Sequence, residues 1–417
     1  MKVLVIGKGG REHAIVRQFS KSDLVEQVYA APGNDGMRAD AELAAIDEMD
    51  FESLADFAEN ENIDFTFVGP EQPLAGGITD FFEKRGLRIF GPSQAAAQIE
   101  GSKAFAKELM KKYNIPTAGY ETFTEAAPAI EFIRKHGAPI VIKADGLAAG
   151  KGVVVATSEE EAIAAVSDML EGQKFGESGS KVVIEEFLAG EEFSFMSFVQ
   201  NGEIYPMAIS QDHKRAYDGD RGPNTGGMGA YSPVPQISEE VVDETFSEIV
   251  KPAVEAMAAE GTPFNGVLYT GVILTDAGPK VIEFNARFGD PETQVVLPRM
   301  KSDFAEFINA ILNNEPYQLE WNDQSVLGVV VAAKGYPESV ENGVLLPDLS
   351  QMAEVEITHA GTILAQGDYT ANGGRVLLVS ASGASIEEAQ DKVYKQLESL
   401  EWQGFFYRHD IGWRAIG

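Results

Sequence analysis

The chain has 417 residues, 33 Lys and Arg against 65 Asp and Glu, a net charge of −32 and no cysteine. That length exceeds what one hydrophobic core serves and implies roughly two to four domains. The missing cysteine excludes disulfides, zinc–thiolate sites, iron–sulfur clusters and a thiol nucleophile. A basic footprint for nucleic acid is absent, and no apolar run approaches a membrane span. The acidity reads as solubility, so any anion site must be locally basic.

Residues 2–6 form a short apolar run followed by Lys8, Arg11 and Glu12, which reads as a first strand and not a signal peptide. Gly7-Lys8-Gly9-Gly10 is a tight turn feeding a helix over 11–20. Further strands are expected at 25–31, 64–68 and 87–90, with a helix at 51–60. Strands alternating with helical stretches imply a parallel doubly wound sheet, ending near Glu100-Gly101. Ser102 is placed to cap a helix from Lys103 to about Tyr113. A small lobe should then hold strands at 140–144, 152–156 and 181–186 and a helix at 158–170. Strands at 192–199 and 204–211 follow, then a long polar loop over 212–235. Loops of that length in compact domains are usually functional or disordered. Two antiparallel strands at 268–274 and 280–284 meet at Asp276-Ala277-Gly278. Beyond Trp321 short β segments and a helix at 385–400 suggest a separate α+β domain.

The most informative stretch is Val141 to Val153, where Gly146, Gly150 and Gly152 stand with Lys143 and Lys151 between two β-branched runs. Glycines let backbone N–H groups approach a phosphate, and lysines supply point charge. The spacing is not a Walker A loop: three residues separate Gly146 and Gly150, and Gly152 stands where Ser or Thr should bind magnesium. A Gly-rich flap between two strands is another way to cover a triphosphate.

Strand periodicity puts Glu283, Asn285 and Arg287 on one face, with Ile282 and Phe284 on the other. Two hard oxygen ligands and a guanidinium suit magnesium on nucleotide phosphates; an exposed face with an ion pair would show the same alternation. Glu185-Glu186-Phe187-Leu188, with Glu191, is either a hinge that presents backbone groups to adenine and a carboxylate to ribose, or an ordinary strand end. Gly7 to His13 suits an anion at a helix N-terminus, or is a turn that merely needs glycine. It fails the dinucleotide fingerprint because Glu12 stands at the third glycine and no ribose-binding acid ends the second strand. A phosphorylated sugar fits better. Asp212, His213, Lys214 and Arg215, with the loop Gly222 to Gly229, either position a small charged substrate or form a solvated charge cluster. The five histidines lack zinc spacing, and no G-x-S-x-G elbow occurs.

In this order the motifs resemble the ATP-grasp superfamily and, within it, the family of ligases that joins glycine to 5-phosphoribosylamine. The resemblance runs from Val5–Ala14 and Val68–Glu71 through Gly101–Phe105, Ile142–Gly152, Ser210–Arg215, Gly222–Pro233 and Arg287–Gln294 to Arg408–Arg414. It implies an α/β fold: a doubly wound N-terminal domain (1–101), an ATP-grasp region (102–325) with a small mobile lobe at about 117–190, and an α+β C-terminal domain (326–417). It implies that Lys103 and Lys143 contact ATP phosphates and that the loop Gly146 to Gly152, with Gly150 and Lys151, closes over them. Glu185, Glu186, Phe187, Leu188 and Glu191 should hold adenosine. Glu283 and Asn285 should hold Mg2+, with Mn2+ as a substitute. Gly10, Arg11, Glu12, Glu71, Asn224, Gly226 and Asp290 should contact substrates. Asp212, Lys214 and Arg287 should serve the reaction centre.

Many superfamily members carry a further acidic ligand on the strand before Glu-x-Asn. The stretch 268–274 has none, so water or another group would complete the metal shell. The expected partners are glycine and 5-phosphoribosylamine, not nucleic acid or membrane, for a monofunctional, cytoplasmic monomer. Two rivals remain: another ATP-grasp ligase or carboxylase, such as a biotin carboxylase, and a non-catalytic nucleotide-binding module.

Overall fold

A computed structural model describes residues 1–146, 152–172 and 181–416. The N-terminal sheet contains β1 (Lys2–Gly7), β2 (Gln27–Pro32), β3 (Glu42–Leu43), β4 (Phe65–Val68) and β5 (Ile89–Phe90) in the order β3-β2-β1-β4-β5. All its pairings are parallel. Val3, Val5, Phe65 and Phe67 pack against Phe19 of the helix Gly10–Ser20, all essentially fully buried. The strand order reverses between β1 and β4, so their carboxyl ends open a crevice. Gly7-Lys8-Gly9-Gly10 and Gly69-Pro70-Glu71 flank it.

The helix Lys103–Lys112 starts where expected, with the Ser102 hydroxyl accepting from the Phe105 N–H. The small lobe has β6 (Tyr120–Phe123), β7 (Ile140–Ala144), β8 (Val153–Ala156) and β9 (Val182–Glu186) in the order β6-β9-β7-β8. Its helices Ala126–His136 and Glu159–Leu170 share with that sheet an apolar core centred on Ile133, Ile142, Val166 and Ile184, separate from the rest of the protein. A lobe with its own core and few crossing connections is a distinct structural unit.

Facing it are β10 (Glu191–Gln200) and β11 (Glu203–Pro206). The expected strand at 204–211 is split, since β11 stops at Pro206, which cannot donate to a ladder. The expected polar loop is also structured. It holds β12 (Gln211–Asp212), a two-stranded ribbon of β13 (Arg215–Tyr217) and β14 (Arg221–Asn224), and β15 (Gly229–Ser232). The long strands β16 (Gly266–Thr275) and β17 (Gly278–Asn285) complete a sheet ordered β11-β10-β16-β17.

The C-terminal region adds β18 (Ser325–Ala333), β19 (Glu356–His359), the hairpin β20 (Thr362–Ala365) and β21 (Asp368–Ala371), then β22 (Arg375–Gly383) and β23 (Phe405–Phe406). β18 and β22 are nine residues each, longer than the short segments expected. Their sheet runs β12-β15-β18-β22-β19, with β23 also on β18. The central region thus lends two strands to the C-terminal sheet. This domain also docks on the first. The His359 N–H donates to His13 Nδ1 (2.8 Å), Arg17 to the Ile357 carbonyl (3.0 Å) and Asn34 to the His359 carbonyl (3.1 Å). Burial holds both imidazoles neutral and pushes His359 down to about 3.

Candidate active site

The three parts enclose a cleft of about 710 Å³. On its small-lobe side Lys143 of β7 lies 3.0 Å from Glu185 of β9, and Lys107 lies 3.0 Å from the same carboxylate. All three are buried. Lys143 also donates to the Ile282 carbonyl of β17, tying the two lobes at the cleft floor (2.9 Å). Burial pulls Lys107 down to about 8 in spite of Glu185. Glu185 holds two lysines in place and, as one of the residues expected at the nucleotide, lines the cleft with them. Lys103 donates to the Gly146 carbonyl (2.9 Å) at a φ of +110° that favours glycine. Gly152 lines the same wall; Gly150 and Lys151 lie outside the described residues.

From the end of β9 to the start of β10, Glu186, Phe187, Leu188 and Glu191 all line the cleft. The Glu186 N–H is already used by the Gly119 carbonyl (2.9 Å), and Phe187 is exposed at this edge. Glu191 accepts from Gln211 (2.8 Å) and Gln236 (3.2 Å).

Opposite, Glu283 and Asn285 of β17 line the cleft, but so do Ile282 and Phe284, and the ladder to β16 shifts register between Val281 and Glu283, so the strict alternation expected from sequence does not hold there. Burial would raise the Glu283 carboxyl, but Lys214, Lys143 and Lys103 outweigh it and hold it ionised. Among the described residues no three acids or histidines cluster as a ready-made metal cage. Magnesium keeps several waters and takes one or two protein carboxylates plus phosphates, so two oxygen ligands beside three lysines fit it.

Beyond β17 an alternating chain of charge crosses to the first domain. Arg287 pairs with Glu100 (2.9 Å) and Glu71 (3.4 Å), and Glu71 with Arg11 (3.8 Å). Arg11 and Glu71 line the cleft; Gly10 and Glu12 lie behind its wall. The Glu12 carboxylate is spent on the Gly9 N–H (2.6 Å) and on Arg11 Nε (2.5 Å), because a helix N-terminus leaves donors to satisfy. A side chain at Gly10 would meet Gln294 at 2.8 Å. Neither Gly10 nor Glu12 is among the residues that line the cleft.

Asp290 pairs with Arg375 of β22 (3.2 Å), which also donates to the Gly226 carbonyl (2.8 Å). Asn224 and Gly226 reach the cleft from the ribbon. Asp212 and Lys214 arrive on the same segment, and Lys214 pairs with Glu192 (2.9 Å). Burial, opposed by Lys214, pushes the Asp212 carboxyl up to about 7. For Lys214, burial is outweighed by Glu192 and Asp212, and its ammonium is held charged. Sequence reasoning missed Lys107, Glu192, Glu292, Arg375 and Arg414, all lining the cleft. Lys107 was discoverable, four residues past Lys103 and so on the same helix face. Arg375 comes from the C-terminal domain with no local pattern to mark it; Arg414 ends the motif Arg408–Arg414, to which the sequence assigned no role.

Two lobes that close a lysine-rich wall over a Glu-x-Asn strand define an ATP-grasp enzyme. The sequence matches three descriptions in succession: phosphoribosylglycinamide synthetase N domain (residues 1–100), ATP-grasp (A) domain (101–293) and C domain (326–414). The chain belongs to the phosphoribosylglycinamide synthetase family. It is 55% identical over 417 residues to the phosphoribosylamine–glycine ligase of Halalkalibacterium halodurans, covering 100% of this chain and 97% of that one. It is 56% identical to the Listeria monocytogenes serotype 4b ligase, with 100% of both chains covered. The crystal structure of the Thermotoga maritima ligase superposes with a TM-score of 0.87 at 35% identity, covering 99% of this chain and 100% of that one. A biotin carboxylase from Campylobacter jejuni shares the fold at 15% identity, with a TM-score of 0.74 and coverage of 97% and 92%.

Proposed function

We infer that this chain is the ATP-dependent ligase that joins glycine to 5-phosphoribosylamine. Its products are glycinamide ribonucleotide, ADP and phosphate, in de novo purine biosynthesis. The carrying observation is the full-length identity of 55% to a phosphoribosylamine–glycine ligase, with all three domains in order. The domains are taken as 1–101, 102–325 and 326–417. No described helix is long and apolar enough to cross a membrane. The reading is of a cytoplasmic monomer acting on small molecules.

The chemistry follows from charge. A carboxylate resists attack by an amine because its leaving group would be oxide. One carboxylate oxygen of glycine therefore attacks the γ-phosphorus of ATP and ADP leaves. The amine nitrogen of phosphoribosylamine then attacks the carbonyl carbon of glycyl phosphate, and phosphate leaves as the nitrogen loses its proton. Lys103 and Lys143 neutralise charge on the transferring phosphoryl group. Glu186 to Leu188 take the adenine edge and Glu191 the ribose. Glu283 and Asn285 would hold Mg2+, or Mn2+ with its similar preference for oxygen, and the ion would supply further neutralisation at the phosphates. Arg287 and Lys214 attract the carboxylate of glycine. Arg11 and Glu71, with Asn224, Gly226 and Asp290, face the sugar phosphate. ADP release should require glycine and phosphoribosylamine together. Release driven by bicarbonate without glycine would instead make it a carboxylase.

A further inference from the structure

We propose that Glu292 and Asp212 form the subsite that holds the ammonium group of glycine, an inference that rests on the ligase reading above. The cleft's acids at Glu71, Glu100, Glu185, Glu192 and Asp290 each have a cationic partner within 4.0 Å. Asp212 and Glu292 line the same cleft and, like Glu186, Glu191 and Glu283, have none among the described residues; of these five acids Glu292 alone is buried. Glu292 is 3% exposed. A buried carboxylate without a counter-charge is costly unless a ligand supplies one.

Glu292 is also held for the task. The Tyr269 hydroxyl donates to its Oε1 (2.9 Å), and Ser194 Oγ lies 3.1 Å from that oxygen and 2.8 Å from the tyrosine hydroxyl. Both donors fall on one oxygen. Oε2 receives no hydrogen bond among the described residues. It lies over Gly289, where a β-carbon would stand 2.6 Å from it and 2.9 Å from the Tyr269 ring. A side chain at position 289 would displace the carboxylate and press on the Tyr269 ring. Glu292 in turn helps to raise the Asp212 carboxyl, third after burial and the opposing Lys214. A cation at the free oxygen of Glu292 supplies its missing counter-charge and lessens the repulsion that Asp212 feels from it. Glycine carries such a cation next to the carboxylate that must face Lys214 and Arg287. The amine of phosphoribosylamine reacts as a neutral nucleophile and has no use for two anions.

The test is steady-state kinetics of Glu292→Gln. The KM for glycine should rise roughly tenfold to a hundredfold, the span expected for a lost charged hydrogen bond. The KM for ATP and the magnesium needed for half-maximal activity should stay at wild-type values. An unchanged glycine KM overturns the proposal. So does a raised magnesium requirement without a glycine effect, which would make the pair a second metal site. If the variant fails to fold, wild-type selectivity decides. Glycolate, with hydroxyl in place of ammonium, should be used at least about a hundredfold less efficiently than glycine, and equal use contradicts the subsite. Wild-type enzyme with no glycine-dependent turnover would instead defeat the ligase reading itself.

Discussion

Replacing Glu283 with Gln should lower turnover at saturating ATP roughly a thousandfold, a loss of about 4 kcal/mol in the transition state. The side chain points from β17 into the cleft, and three lysines keep it ionised against its burial. Gln keeps the shape and one oxygen but removes the charge a divalent ion needs. Folding should be little affected. The carboxylate has no ion-pair partner within 4.0 Å among the described residues, so no buried cation is stranded. The measurement is kcat at saturating magnesium beside the thermal unfolding midpoint. Wild-type turnover would remove Glu283 from the site; a fall in both quantities would make its role structural.

Arg287→Met should act on both stability and activity. Its guanidinium balances Glu100 and Glu71, and burial already raises the Glu100 carboxyl. Stranding Glu100 should cost about 3 kcal/mol, near the lower end for a broken buried pair because Arg287 keeps some exposure. Adding Glu100→Gln should restore most of that stability, since the amide can still accept from the Ala286 N–H. Activity should not return, because the cation facing the glycine carboxylate is still missing. Urea unfolding of both single variants and the double variant gives the coupling directly. A loss below about 0.5 kcal/mol in Arg287→Met would mean that the pair is solvated and carries no load.

The parts of this site that could be read from sequence are those with local physical signatures. Ser102 capping its helix, the strand that carries Glu283 and Asn285, and the turn ahead of the helix Gly10–Ser20 depend on neighbours a few residues away. The rest depends on distant partners. β15 is four residues rich in small side chains, and its pairings with β12 and with β18, the latter nearly a hundred positions later, make it a strand. Arg375 reaches the cleft because β22 lies beside β18. Only the family resemblance puts Glu12 beside a substrate, and no local pattern shows that its carboxylate accepts from the Gly9 N–H of the glycine turn. Glu292 stands five residues beyond Arg287, with nothing in the intervening residues to show that Tyr269 and Ser194 would aim it.

The central claim is that glycine is activated as an acyl phosphate in a cleft where Lys103, Lys143, Glu283 and Asn285 meet. Carboxyl-labelled glycine, with heavy oxygen at both positions, tests it most directly. One labelled oxygen should appear in inorganic phosphate for each glycinamide ribonucleotide formed, with ADP as the nucleotide product. Label in AMP would mean an adenylate. Unlabelled phosphate alongside normal product would mean that the sugar is activated instead, and either result would contradict the mechanism.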